Sequence, residues 1–432
     1  MSLSRYPRYP AYKDSGVEWL GEVPAHWEVR RTDAILRYDK RQVEPSSLPS
    51  DEVFHYSIPI IHQTGDGQNE PVNSIDSAKL LITAERVLVS KLNPRKGMVL
   101  LARPHTLPTI ASTEFVPFEP LDTDPRWATY LFLSESTRQR ISATVRSATR
   151  SHQRAEVADV TKLWHAVPSK AEQENIANFL DRETARFGAL IEKKRKLIEL
   201  LQEQRAAIIT RAVTRGLDPH APMKNSGVEW LGEIPAHWEV KPLKRLFDNL
   251  DSRRIPLSSE ERAGMQKTYP YYGASGIIDK VEDYLFEEPL ILVAEDGANL
   301  RSRSTPLAFV AEGRYWVNNH AHILRPVDGI ISFWAPLLAS IEFEPWITGS
   351  AQPKLTSENL GSVLLPVPPR SERLQIATLL SQLARPLDEL AQTIAAAMAR
   401  LDELRSSLIT AAVTGAIDVR TTSTGPGDAD AA

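Results

Sequence analysis

Nine consecutive residues, Arg146-Ser147-Ala148-Thr149-Arg150-Ser151-His152-Gln153-Arg154, hold three arginines, a histidine and a glutamine, and no acid. Arginine pairs bidentately with guanine and glutamine with adenine at base-pair edges in the major groove. Hydroxyls, amides and cations grip phosphate. The chemistry on offer is therefore recognition of nucleic acid, with Arg146, Arg150, Ser151, His152, Gln153 and Arg154 as candidate contacts. The plain alternative is a solvated loop. Lys91, Asn93, Arg95 and Lys96 form a second basic cluster, and Arg301 and Arg303 follow Gly297-Ala298-Asn299. Asn319 and His320 are weaker candidates. Ser350, Gln352 and Lys354 stand just before a Val-Pro-x-x-x-Glu string, as Arg146 to Arg154 do. Which of these meet bases and which meet phosphate is left open by the sequence.

Other chemistries find little support. The chain has no GxxxxGK[ST] phosphate loop, so ATP hydrolysis through one is excluded. Asn93-Pro94-Arg95 lacks the second proline and the aromatic residue of an adenine methyltransferase motif. Glu192-Lys193-Lys194 matches a nuclease fragment but lies in a charged helical stretch and reads as a solvated face. His320 and His322 alternate as metal ligands on a strand would, without evident third and fourth ligands; a DNA-facing strand or a satisfied core histidine is the better reading. Trp19, Trp27, Trp230 and Trp238 read as core anchors or a docking surface. The chain has no cysteine, which excludes disulfides and thiolate metal sites. No apolar h-region opens the chain, and no run nears the ~18 apolar residues of a membrane span. These features point to a cytoplasmic protein without membrane contact. A formal charge of −4 argues against a bulk DNA coat but allows a local basic face.

These residues need a frame, and the frame is written twice. SGVEWLGEVPAHWEV runs from Ser15 to Val29 and SGVEWLGEIPAHWEV from Ser226 to Val240, with Val23 against Ile234 the one change. Val167-Pro168-Ser169-Lys170-Ala171-Glu172 matches Val367-Pro368-Pro369-Arg370-Ser371-Glu372, and Ala212-Val213-Thr214 matches Ala412-Val413-Thr414. Such repetition implies two copies of one unit. Between the matching ends, each copy carries a dissimilar middle. Val87 to Val89, Met98 to Leu101, Leu290 to Ala294, Leu307 to Val310 and Ala321 to Leu324 read as strands. Arg126 to Arg140 reads as a helix.

The ends of the copies read as coiled-coil helices. In the second, Leu380, Leu383, Leu387, Leu390, Ile394, Ala397, Leu401, Leu404, Leu408 and Ala411 alternate at three and four residues. Pro386 suggests a helix start, with a shorter helix from about Glu372 to Leu383 before it. The first copy reads less cleanly as Leu180, Phe187, Leu190, Lys194, Leu197, Leu201, Gln204 and Ile208, interrupted at Lys194 and Gln204. Gly216 and Gly415 suit helix ends. About 27 residues per helix would make a rod of roughly 40 Å, near the ~34–36 Å between successive major-groove faces.

The order of start motif, variable middle and VPxxxE helix, given twice over residues 12–420, resembles the specificity subunit of type I restriction–modification enzymes. YYGASGIID, VNNHAHIL, GSAQPKL, SKLNPRKG, ASTEF and SHQR also look like that family. The resemblance implies an α+β fold of two mixed α/β target recognition domains joined by two long antiparallel coiled-coil helices. The expected boundaries are 1–165 and 223–365 for the recognition domains, 166–222 and 366–420 for the helical regions, and 421–432 for a disordered tail. It implies a non-catalytic reader of double-stranded DNA with an asymmetric bipartite target. Two modification (methyltransferase) subunits bringing S-adenosylmethionine, and restriction subunits using ATP and Mg, would be its partners, with no cofactor bound by the chain itself. The sequence departs from symmetry at Arg373, where the first copy has Gln173, and in the interrupted first helix. The rival reading from the residues alone is a structural adaptor whose variable domains bind proteins.

Overall fold

The structure is a computed structural model that describes residues 5–145, 153–350 and 352–420. The expected tail, 421–432, lies outside them. The chain forms two compact units. One comprises the residues up to Lys194 together with those from Ala396 onward, and the other spans Arg195–Ala395. No helix among the described residues is long and apolar enough to cross a membrane.

The middles of the two copies share a sheet despite their unlike sequences. In the first unit four antiparallel strands run in the order Val99–Ala102, Arg86–Ser90, Phe115–Pro120, Leu36–Tyr38. In the second the order is Ala308–Ala311, Leu290–Ala294, Ala321–Pro326, Phe247–Asn249. The central strands Arg86–Ser90 and Leu290–Ala294 are buried throughout, which is why they read as unbroken apolar runs. A second sheet differs between the units, with five strands in the first and three in the second. The expected helix from Arg126 to Arg140 is two helices, Pro125–Leu133 and Glu135–Thr144. Ser134 ends one and caps the other, its hydroxyl accepting from Thr137 N.

The repeated strings prove to be two halves of one lock. Each start motif forms a hairpin, Tyr12–Asp14 with Glu22–Pro24 and Met223–Asn225 with Glu233–Pro235. In the first unit His26 Nε2 lies 2.9 Å from Glu172 of the VPxxxE string, and in the second His237 Nε2 lies 2.8 Å from Glu372. Trp27 and Trp238 are fully buried. Trp238 Nε1 donates to Glu372 at 3.0 Å, whereas in the first unit the Tyr9 hydroxyl donates to Glu172 at 2.7 Å. The first start motif packs on the chain's far end: Tyr12 donates to Gly415 O at 2.9 Å, and Asp418 N to Pro7 O at 2.7 Å. The first unit is thus closed from both chain ends.

The departure at Arg373 is compensated in place. Gln173 accepts from Asp124 N at 2.9 Å and donates to Pro168 O. In the second unit Arg373 forms an ion pair with Asp328 at 2.8 Å and lies over the Trp334 ring.

The helical expectations need three corrections. The long helices are Lys170–Arg215 and Arg370–Val413, 46 and 44 residues, so each exceeds the expected rod and runs to roughly 65–70 Å at 1.5 Å per residue. Pro386 does not start a helix but sits inside the second one. Its ring removes one backbone hydrogen bond, and packing on both sides outweighs that loss: Leu380 is buried before it and Ile394 after it. Between Phe187 and Ile208 of the first helix the buried or half-buried positions are Phe187, Gly188, Ile191, Lys194, Ile198, Leu201, Arg205 and Ile208. Leu190, Leu197 and Gln204 are exposed, so Ile191, Ile198 and Arg205 take the places assigned to them. Arg205 reaches Asp388 of the second helix at 3.5 Å within the second unit. On the second helix Leu390 is likewise exposed, while Leu408 and Ala411 are buried. Both helices end where the glycines predicted, with Gly216 at φ +78° and Gly415 at φ +75°.

Fully buried His165 carries a pH signature of the first unit. It lies on Trp164–Val167, and its Nε2 is 2.9 Å from the Thr32 hydroxyl. Burial pushes its pKa down to about 3. The folded state therefore binds this proton less well than the unfolded chain, whose imidazole titrates near 6.5. Stability is full above that value and falls as pH drops towards 3, by up to about 1.4 kcal/mol per pH unit. Urea melts at pH 7.5 and pH 5 are expected to show a smaller acid loss in His165→Gln than in wild type. Equal losses would remove the histidine from the account.

Candidate nucleic-acid interface

The structure joins clusters that lie far apart in sequence, and it does so the same way in both units. In the first, Asn93 N donates to Gln153 O at 2.7 Å and Ala155 N to Lys91 O at 3.0 Å, with a β-bridge between Leu92 and Arg154. In the second, Gly297 N donates to Pro353 O at 3.2 Å and Leu355 N to Glu295 O at 2.8 Å, with a bridge between Asp296 and Lys354. Each pairing starts where the buried central strand ends. It ties that edge to the segment just before the short helix that leads into VPxxxE. Asn93 has φ +48°, a left-handed turn that Gly297 makes at φ +98° in the second unit. Asparagine is among the few residues that tolerate this conformation.

In the first unit Lys91, Asn93, Arg95, Lys96, Gln153 and Arg154 therefore share one end of the sheet. Arg95 and Lys96 are exposed on a 3-10 turn, Pro94–Lys96, and neither they nor Lys91 enter an ion pair among the described residues. Arg154 pairs with Glu114 at 2.8 Å. Arg146, Arg150, Ser151 and His152 lie outside the described residues.

In the second unit the candidates divide. Lys354 sits on the bridge and pairs with Glu295 at 3.2 Å. Arg301 donates to the carbonyls of Gly349 and Ser350 and pairs with Glu344 at 3.3 Å, so it braces the loop that carries Ser350 and Gln352. Asn319 and His320 are exposed, with His320 Nδ1 2.8 Å from Asp296. Arg303 turns elsewhere: it donates to Ala339 O and pairs with Glu342 at 3.4 Å, beside the helix Ile331–Ser340.

Sequence reading missed the polar network under this loop. His322 Nδ1 is 2.6 Å from Asp251, and its Nε2 is 2.7 Å from Leu355 O. Arg254 donates to Glu295 at 2.6 Å and to Ala321 O at 2.9 Å. Burial opposes charge on His322, but the hydrogen bond and charge of Asp251 outweigh it and hold its pKa above the usual histidine range. Burial likewise opposes ionisation of Asp251 and Glu295, yet His322 and Arg254 keep both carboxyls below their usual range. Asp251, Glu295 and His322 bring ligand atoms within 4.8 Å of one another. Both ring nitrogens are already engaged, and Arg254 and Lys354 neutralise the carboxylates, so the group is an ion-pair network and His322 a satisfied core histidine. The doubled Arg253-Arg254 was the one local hint.

Known proteins resemble this chain in sequence and in fold. The family described as "Type I restriction modification DNA specificity domain" matches residues 235–399. A putative type I restriction enzyme specificity subunit of Haemophilus influenzae is 32% identical over 163 residues, 37% of this chain and 38% of that protein. The putative type I restriction enzyme MjaX specificity subunit of Methanocaldococcus jannaschii is 22% identical over 425 residues, 93% of this chain and 96% of that one. A chain from a structural study of complex assembly and conformational transition of the type I R-M system has the same fold. It gives a TM-score of 0.66 at 16% identity, over 90% of this chain and 98% of that one. With its doubled start motifs, doubled sheets and long helices, the chain is similar to type I restriction–modification DNA specificity proteins, by the family model over residues 235–399 and by overall fold over most of its length.

Proposed function

We propose that this chain reads DNA for a type I restriction–modification complex, each unit recognising one half of a bipartite, asymmetric target. Residues 1–165 and 223–365 act as the two target recognition domains, and 166–222 and 366–420 as the helical region that follows each in the chain. One observation carries the reading. The same bridge is built at the end of the same central strand in both units, yet it presents Lys91, Asn93, Gln153 and Arg154 in one and Glu295, Gly297, Pro353 and Lys354 in the other. A shared construction with unlike side chains is what two readers of different half-sites require, since base edges are told apart by donor and acceptor pattern. The chain carries no chemistry of its own in this reading. Two modification subunits supply methyl transfer from S-adenosylmethionine, and restriction subunits supply ATP- and Mg-dependent work.

Substitutions separate the contact types. Gln153→Ala or Arg154→Ala is expected to relax choice at one half-site by ~1–3 kcal/mol. Lys96→Ala is expected to weaken binding to all duplexes alike and to flatten the salt slope by about one. Titrations of the full chain, with whichever subunits copurify, against random duplex DNA at several salt concentrations decide the matter. Retention that did not depend on salt would favour the protein-binding adaptor instead.

A further inference from the structure

The second unit has a buried ionic network around His322 that, among the described residues, the first unit lacks at the matching position, and the network holds both of its candidate DNA loops. The shared strand order sets the correspondence. Val116 pairs with Val89 as His322 pairs with Val293, so Val116 and His322 occupy one place in the fold. By the same register Lys40 stands where Asp251 does. The first unit thus builds the same sheet with a valine, and the fold itself does not demand a histidine at that position.

The contacts of His322 are those of a charged ring. A carboxylate faces Nδ1 at 2.6 Å and a carbonyl faces Nε2 at 2.7 Å. Both are acceptors, so both ring nitrogens must donate, which only the imidazolium does. The carbonyl belongs to Leu355, next to Lys354 at the end of the segment 352–355. Asp251 also accepts from Ile323 N at 2.8 Å and lies 3.6 Å from Arg254. Arg254 meets Glu295 and the carbonyls of Asn319 and Ala321, which bracket His320. Glu295 meets Lys354, and its own carbonyl accepts from Leu355 N. The charged groups around the ring are therefore Asp251, Glu295, Arg254 and Lys354, with Asp296 and His320 at the rim.

We infer that His322 and Asp251 are positioning residues for half-site reading by the second unit: the buried imidazolium holds the segment 352–355 against the turn 318–320 in the arrangement that meets DNA, so reading by this unit, and not by the first, depends on protonation. The inference rests on the assignment of these loops to DNA. Loss of the proton leaves either Leu355 O or Asp251 facing a nitrogen lone pair, and the loop exit loses one of its two anchors. The raised histidine pKa sets the sign: the arrangement is fully held below the ordinary histidine value of about 6.5 and lost as pH rises through the higher folded value.

The test selects bound sequences from a randomised duplex library with the full chain and its copurifying subunits, at pH 6 and pH 8.5. Wild type is expected to keep its preference at one half-site at both values. At the other half-site, discrimination is expected to fall, by up to about tenfold per pH unit above the histidine pKa, the limit for one coupled proton. His322→Val, which copies the first unit's residue, is expected to give a second half-site preference that no longer varies with pH. Asp251→Asn, a smaller change to the fold, should flatten the same profile. Discrimination that falls at both half-sites together, or pH dependence that survives in both variants, overturns the positioning role while leaving DNA reading intact. A wild-type library with no enriched sequence at either pH overturns the loop assignment and this role with it.

Discussion

Exchanging residues 30–165 for the corresponding domain of a relative will change one half of the recognised DNA and leave the other half as it is. The graft removes Lys91 to Lys96 and Gln153-Arg154 together, and with them the whole bridge of the first unit. It keeps Trp27 and Glu172, so the lock that seats the domain on the long helices is untouched. The second unit keeps its sheet and loops. Base contacts specify while phosphate contacts mainly position, and each wrong base pair costs ~1–3 kcal/mol. A half-site of a few base pairs would thus change preference by several orders of magnitude. Sequencing the duplexes that the chimera enriches will show it. A chimera that altered both halves would mean that recognition is not divided between the units.

Trp27→Ala is expected to cost about 3–5 kcal/mol, the usual range for emptying the site of a large buried aromatic. Trp27 is fully buried in the core that joins the start motif to Ile409, Ala412 and Val413 of the second long helix. The fit there is tight: a Cβ on Gly415 would lie 2.5 Å from Pro24 and 3.1 Å from the Trp27 ring. The surroundings have little freedom to collapse into the space, because the helix end and the chain's beginning pin each other through Tyr12 and Pro7. Trp19, only partly buried, should lose much less on the same change. Urea midpoints of the two variants make the comparison. A Trp27→Ala loss below ~1 kcal/mol would show that this contact does not close the unit.

What the sequence alone determined is the repeat and its consequences. Identical strings must fold alike, so both start motifs, both VPxxxE strings and both helix-ending glycines could be read before any coordinate. The buried strands Arg86–Ser90 and Leu290–Ala294 were legible as apolar runs for the same local reason. The first helix seam was not. Leu190 and Ile191, like Leu197 and Ile198, are adjacent apolar pairs, and either member satisfies a three-four alternation. Only the partner surface selects the second of each pair for burial. Pro386 reads locally as a helix start, while burial of Leu380 and Ile394 on either side carries one helix through it. Basic residues could be named as candidates one by one. Tertiary structure alone brought Asn93 to Gln153 and Asp251 to His322, and it turned Arg303 towards Glu342. Periodicity reports which face of an element is buried, but it carries no record of which distant segment a backbone amide or a buried ring will meet.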